Sequence, residues 1–332
     1  MPLLSRLLSV ATLIAALALP VAGARAQTGA GCQAPATAVD RMVCANDGLR
    51  RAQRTLQDKV ATLERRLPAP AQQHLARDQA QWEQARGAAC AAGLLEPADC
   101  LGLLYEDRIA LVDGLAQCAR YPFVGQQALI ETANRNRFHI YAAYPRFDGD
   151  TANFAPLNKG FVEIMGRVDA QLRQAANAAT DKEDLYGYNQ VYRLHCLSDV
   201  ALGLEFENYV YGGLAHPQSS SSGYVVDLRT GGILAPDRLF ATGSPWRQQL
   251  TALVARDLKR QLEAKGNGES MPSAADLARR MGEDRRYVFR RGKLAVVFDS
   301  GEIPPYADGA RVVEIPYTAL RPLLSPDAPL AD

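Results

Sequence analysis

Six cysteines, Cys32, Cys44, Cys90, Cys100, Cys118 and Cys196, constrain this chain more than any other feature. Their meaning depends on compartment, because disulfides persist only where the surroundings oxidise thiols. The first 26 residues predict such a destination. Arg6 gives a positive start, and Leu7 to Leu19 give an apolar run too short for a membrane span. Pro20 breaks the run, and Ala24-Arg25-Ala26 places small residues at the two positions a signal peptidase reads. The reading is a signal peptide over residues 1–26, cleaved before Gln27, and a periplasmic or secreted protein. The rival is a lipoprotein anchor at Cys32. Thr28-Gly29-Ala30-Gly31 lacks the leucine expected three before a lipidated cysteine, and it lies well past the apolar run. All six cysteines fall in the expected mature chain. None is spaced C-x-x-C, which argues against a zinc ribbon or a thioredoxin-type redox site.

Charge and composition remove further classes. The chain has 332 residues with 37 basic and 36 acidic side chains. Without Arg6 and Arg25 the remainder stands at −1, so no global field steers nucleic acid or an anionic bilayer. A hydrophobic content of 48% excludes wholesale disorder. No stretch after residue 26 is apolar enough for an integral membrane span, and the length fits about two domains.

The first domain is expected over residues 32–118. Leu49, Ala52, Leu56, Val60, Leu63 and Leu67 recur at spacings of three and four, which predicts one helix from about Val39 to Leu67. Pro68 and Pro70 end it. A second helix, about Ala71 to Ala92, carries Leu75, Gln79, Trp82, Ala85 and Ala89 on one side. A third follows Pro97 and Asp99, with Leu101, Leu104, Tyr105, Ile109, Val112 and Leu115 as its stripe. Short joins make this an antiparallel helical bundle. Cys32 and Cys44 flank the entry to the first helix, and Cys90 and Cys100 flank the second turn. Each pair would close a loop of about ten residues, and Cys118 and Cys196 are left to tie the bundle to the next domain.

At these residues the chain resembles the N-terminal domain of the LprI-type lysozyme inhibitors. The matching elements are Cys32, Val43-Cys44-Ala45, Leu49, Gln79-x-x-Trp82-x-x-x-Arg86-x-x-x-Cys90, Cys100 and Leu104-Tyr105-x-x-Arg108-Ile109. The resemblance implies an extracytoplasmic module, linked in some members to lysozyme inhibition. Trp82 and Arg86 read from the residues alone as core packing and a buried ion pair.

The pattern changes over residues 119–332. Phe138, Ile140, Ala142 and Tyr144 alternate as a half-buried strand does, and Leu157 to Leu172 mark a helix to about Ala178. Tyr188 to Leu197, Ala201 to Tyr211 and Gly223 to Leu228 read as strands. A helix opens at Ser244-Pro245, a hairpin turns at Arg290-Arg291-Gly292-Lys293, and Arg311 to Ile315 is a last strand. The fold class is α+β: a disulfide-stapled antiparallel helical bundle, then an antiparallel sheet with packed helices. Tyr209-Val-Tyr211-Gly212-Gly213-Leu-Ala215-His216-Pro217 and Tyr224-Val-Val-Asp227-Leu-Arg-Thr230-Gly231 carry a second resemblance, as do Tyr144-Pro145-Arg146-Phe147 and Val313-Glu314-Ile315-Pro316-Tyr317. Residues 138–324 are similar to the C-terminal domain of the anti-sigma factor RsiV, found also in the non-catalytic part of the deacetylase PdaC. The resemblance implies lysozyme binding, which that domain performs in RsiV.

His216 is the tempting catalytic residue, in a Gly-rich turn beside Ser219 to Ser222, with Asp227 or Glu207 as the acid. No Gly-x-Ser-x-Gly elbow accompanies it, and a turn role accounts for it better. His139, His195 and His216 lack metal-ligand spacing, so neither metal nor cofactor is expected. The chain reads as a non-enzyme that binds lysozyme or another muramidase, with peptidoglycan as the alternative partner and a glycan-processing site at His216 as the alternative chemistry. An inhibitor of a basic muramidase would present acids and an inserted loop. The loop Ser300-Gly301-Glu302-Ile303-Pro304-Pro305-Tyr306 fits that part, and Tyr211, His216, Glu302, Tyr306 and Asp308 are the expected binding residues. Glu205, Glu207 and Asp299 are read as further acids in or beside turns.

Overall fold

The computed structural model describes residues 32–91, 95–118, 123–133, 138–178, 185–212, 217–305 and 309–330. The expected signal segment lies outside them. No described helix is long and apolar enough to cross a membrane.

Four helices open the described chain: α1 (Ala38–Ala45), α2 (Asp47–Glu64), α3 (Ala69–Ala89) and α4 (Pro97–Gln117). The expected single first helix is therefore two. Asn46 divides it, because its side-chain oxygen accepts from the Gly48 and Leu49 amides and caps α2. Thr37 and Asp40 form a capping box at the start of α1. Three disulfides are present. Cys32–Cys44 holds the entry to α1, Cys90–Cys100 clips the turn from α3 to α4, and Cys118–Cys196 joins the end of α4 to the sheet.

A six-stranded sheet follows, β1 (Phe123–Ala133), β2 (Phe138–Asp148), β3 (Tyr186–Ser198), β4 (Ala201–Tyr211), β5 (Gln218–Asp227) and β6 (Gly232–Leu234), in sequence order across the sheet. Helix α5 (Ala155–Ala178) crosses from β2 to β3. Neighbouring strands are antiparallel except β2 and β3, which the α5 crossover makes parallel. That pair holds only from Phe138↔Tyr186 to Ala142↔Gln190. Beyond it the two strands part into a fork, and α4 packs against β3 there. Gly114 makes this approach possible, since a Cβ there would stand 3.0 Å from the Leu194 carbonyl oxygen.

The rest of the chain forms α6 (Trp246–Ala264), α7 (Ala274–Arg280) and a three-stranded antiparallel sheet of β7 (Tyr287–Arg290), β8 (Lys293–Phe298) and β9 (Arg311–Pro316), closed by the short α8 (Tyr317–Leu320). Helix α6 begins one residue later than Ser244-Pro245 suggested, with Pro245 as an N-cap that makes no side-chain bond. Strand β7 lies directly over the large sheet. A Cβ at Gly203 or Gly223 would sit 2.3 Å from the carbonyl oxygens of Phe289 and Tyr287, so only glycine allows the two backbones to touch.

The core runs without a break from helices to sheet. Leu56, Leu75, Trp82, Leu104 and Val112 belong to one buried cluster with Tyr141, Ala143, Tyr192, Leu204 and Val226. Strand β2 alternates accordingly, its Phe138, Ile140 and Ala142 packing with Met165 of α5 instead. Leu250, Val254, Leu258 and Leu262 of α6 bury themselves against β7–β9 in a separate cluster.

Candidate functional site

The motif side chains of α3 and α4 meet at the seam with the sheet, and they build it from charge. Arg108 of α4 is 1% exposed. Its Nη2 donates to Asp78 Oδ2 at 2.6 Å, and both Nε and Nη2 donate to Gln79 Oε1 at 3.1 Å. Asp78 is buried too, and its Oδ1 accepts the backbone amide of Gln126 in β1 at 2.5 Å. Gln126 then donates through Nε2 to the Tyr141 hydroxyl at 3.0 Å. Burial pushes that phenol up to about 12. The buried Tyr192 hydroxyl donates to the Gly125 carbonyl at 3.1 Å. Helix and edge strand are thus joined by a continuous polar chain in which each buried group has a partner.

Trp82 separates this network from a second one. It packs edge-on against Tyr105 at 5.3 Å, and the Arg86 and Arg108 guanidinium carbons lie 6.0 and 5.8 Å from its ring centroid. Arg86 donates to the Tyr105 hydroxyl and, at 2.7 Å, to Asp40 Oδ1. Asp40 therefore caps α1 and neutralises Arg86 at once. The Gln-x-x-Trp-x-x-x-Arg run and the Tyr-x-x-Arg run that follows it are the framework of the seam, as core packing and buried pairing require.

The seam leaves a cleft of about 210 Å3 between α3 and β1. Gln81, Ala85 and Arg86 line the helix side, and Gln126, Gln127, Ala128 and Ile130 the strand side, over Trp82, Leu104 and Tyr141. A smaller cleft of about 80 Å3 shares Gln81 and Gln127 and adds His74, Arg77, Arg146 and Asp148. Amide side chains that both donate and accept, over an apolar floor, suit recognition of a polar ligand or a protein segment.

Deeper in the fork stands Asp107, held at about 6. Burial raises it, the nearby Arg193 opposes that, and Glu207 and Glu106 reinforce it. Arg193 lies 3.8 Å from Asp107 and donates to Glu207 at 3.1 Å.

The residues expected to bind are spread over other places. Tyr211 is 9% exposed at the end of β4, its ring flat against Gly187, where a Cβ would stand within 2.4 Å of three of its atoms. Glu302 has a 19% exposed side chain, and both of its carboxylate oxygens accept from Arg286. It also accepts the Asp299 amide at 2.7 Å. Burial opposes its ionisation, but these bonds outweigh it and hold the carboxyl below its ordinary value. His216, Tyr306 and Asp308 lie outside the described residues.

The other acids are also occupied. Glu205 is not a loop charge; it is a buried residue of β4 whose carboxylate receives His195 Nε2 at 2.8 Å and Arg290 at 2.5 and 3.0 Å. Burial works against its charge, but the His195 and Arg290 bonds prevail and hold it at about 2. Asp227 is taken by Arg229. Ser219 to Ser222, read as lying beside a turn, are part of strand β5, where the Ser221 amide donates to Asp299. His139 contacts Thr132 on β1, and no metal-ligand cluster occurs among the described residues.

Sequence reasoning found Trp82 through helical spacing, and Arg86 and Arg108 through the resemblance to the LprI-type motif. It missed Gln81, Gln126, Gln127 and Asp107, for which only their place beside the motif gave a signal.

Residues 32–111 match the family of the lysozyme inhibitor LprI. The match covers the stapled helices up to Leu111 of α4, so the seam is made largely by the LprI-like segment. Residues 237–318 match a second family, described as a protein of unknown function, DUF3298. Neither family description names an enzymatic activity. Two solved structures are similar. A DUF3298 family protein from Pseudomonas aeruginosa PAO1 is 17% identical, with a TM-score of 0.45, over 64% of this chain and 98% of its own. A DUF3298 member from Bacteroides fragilis NCTC 9343 is 16% identical, with a TM-score of 0.41, over 61% and 94%. No curated protein matches.

Proposed function

We propose that this is an exported envelope protein that binds a lysozyme or related muramidase and inhibits it. The observation that carries the reading is the match of residues 32–111 to the lysozyme inhibitor LprI family. The likeness of residues 138–324 to the lysozyme-binding domain of RsiV points the same way. Three disulfides suit a periplasmic or secreted location. In this reading residues 1–26 are removed on export, and residues 32–118 and 119–332 act as two joined modules.

The loop after β8 remains the element proposed to enter the enzyme. Glu302 is its anchor: fastened to Arg286, it fixes the base of the loop before any partner arrives, which lowers the ordering cost of binding. Tyr211, His216, Tyr306 and Asp308 are proposed as contacts, with Asp308 as the acid offered to a basic muramidase.

The test uses purified mature protein with its disulfides intact. Titration against chicken-type, goose-type and invertebrate-type lysozymes by calorimetry, with residual wall lysis measured in parallel, is expected to give a complex and loss of lysis for at least one. Asp308→Lys should weaken that complex. Retention on insoluble wall polymer with no lysozyme bound would replace this reading with a glycan-binding one.

A further inference from the structure

The two clefts between α3 and β1 are separate from the loop proposed to enter a muramidase. They meet at Gln81 and Gln127, which line both, and so form one groove with unlike ends. Three parts of its lining have bonding capacity left over.

The first is Arg86, in the larger cleft. Its Nη atoms serve Tyr105 and Asp40, but its buried Nε donates to nothing. A buried donor without a partner is costly, so an incoming oxygen that completes it is favoured. The second is the pair Gln81 and Gln127, at the middle. Gln127 Nε2 makes one long bond to the Gln126 carbonyl, at 3.3 Å, and the Gln81 side chain makes none among the described residues. Each amide offers both a donor and an acceptor, which is the complement of a peptide unit. The third is Arg77, exposed in the smaller cleft. The neighbouring arginines have their acids: Arg86 has Asp40, Arg108 has Asp78 and Arg146 has Asp148. Arg77 bonds only His74 Nδ1, at 3.0 Å, among the described residues. This end of the groove therefore holds a positive charge without a counter-charge.

The shape of the groove narrows the choice of ligand. A sugar ring would need an open aromatic face. Trp82 is 6% exposed, with Tyr105 edge-on and two guanidiniums near its ring, and offers none. The floor of Ala85, Leu104, Ala128 and Ile130 suits small apolar side chains instead. Arg77 and Arg86 stand nine residues apart on α3, roughly 14 Å along its axis. An extended chain covers that length in about four residues. The smaller cleft, about 80 Å3, has room for little beyond a carboxylate, so the chain ends there.

We infer that this groove binds the last four or so residues of a peptide that has small apolar side chains and a free C-terminal carboxylate. The carboxylate pairs with Arg77, Gln81 and Gln127 bond the peptide units, and a carbonyl oxygen at the far end meets Arg86 Nε.

Calorimetry of the mature, oxidised protein with acetyl-tetraalanine tests it. A dissociation constant between about 10 µM and 1 mM is expected. The C-terminal amide of the same peptide should bind about fivefold more weakly. Arg77→Gln should weaken the acid by the same factor and leave the amide unchanged, and Arg77→Lys should restore the preference for the acid. Both replacements are good helix formers on an exposed side of α3, so the fold should hold. Gln81→Leu should weaken acid and amide alike. Thioredoxin ending in the same four alanines separates the sources: equal binding supports a protein tail, and binding of the free peptide alone supports a small ligand. No binding of either at about 5 mM overturns the inference. So does equal affinity for acid and amide, an Arg77→Gln variant that weakens both alike, or displacement of the peptide by triacetylchitotriose. No lysozyme is present, so this result and the lysozyme titration fail independently.

Discussion

The helical unit and the lobe built on α6 and β7–β9 solve one problem in two ways. Both must hold short elements together around a limited core. The lobe does so with apolar volume: Leu250, Val254, Leu258 and Leu262 press a continuous helix stripe onto β7–β9, and Trp246 stacks on Phe240 at 4.0 Å. It contains no cysteine. The helical unit adds disulfides at its turns and a seam with the sheet built on two buried arginines, Arg86 and Arg108, each set against a carboxylate. The lobe has such a pair of its own, Arg286 with Glu302, at the base of its loop. Apolar packing tolerates many shapes, whereas a buried ion pair tolerates few arrangements, because any other leaves a charge stranded. The difference suggests that the seam is specified by direction as well as by volume.

The largest test of that contrast removes one charge from the seam. Arg108→Ala leaves Asp78 buried and unpaired and should cost about 4 kcal/mol in urea denaturation, at the upper end of what a core truncation such as Leu258→Ala costs. Adding Asp78→Leu to it should recover part of the loss, since no buried charge is then left unpaired; the Gln126 amide loses its acceptor, so recovery is incomplete. No recovery would mean that the pair is ordinary filling. Next in size, Cys90→Ser with Cys100→Ser opens a short loop and should lower stability by about 3 kcal/mol. Hydrogen exchange should show the loss in α3 and α4 and leave α6 and β7–β9 unchanged. Equal loosening of both would erase the contrast.

The smallest effect concerns Asp107. Its folded pKa, about 6, lies above the ordinary 3.8, so its ionisation opposes folding. The favourable contribution is complete below about pH 4 and is lost as pH rises through about 6. Asp107→Asn should therefore stabilise the chain by about 1 kcal/mol at pH 7, allowing for partial solvent screening, and should add little at pH 4. Thermal melts at the two pH values measure it. Glu205 runs the other way. With a folded pKa of about 2, it supports the fold above pH 4.5 and loses that support as pH falls toward 2.

Much of the fold could be read from spacing. The stripes of α2, α3, α4 and α6 are legible because one residue in three or four must face inward, and the cysteines stand at helix ends where a turn brings them together. What was hidden is instructive. Asn46 looks like one polar residue inside a helix until its cap is seen. Strand β1 escaped because an edge strand is half-exposed on both faces, so Gly125-Gln126-Gln127-Ala128 shows no alternation. Ser219 to Ser222 resemble a loop by composition, yet they pair residue by residue with β4. The acids were misplaced for a different reason. Glu205 meets Arg290 from 85 positions away, and Glu302 meets Arg286 across a turn and two strands' edges. Long-range pairing of charge leaves no periodic trace, so the binding residues were the least legible part.

The helix packed against β3 where that strand leaves β2 bears on the order in which the chain can assemble. Synthesis delivers α3 and α4 before any strand, and β3 arrives only after α5. On this order the part of β3 beyond its β2 pairing meets a helix already made, so α4 is expected to shield it during folding. A chain rearranged to make its helices last would expose the upper half of β3 through most of its folding and should clump during refolding, even if its finished form were just as stable.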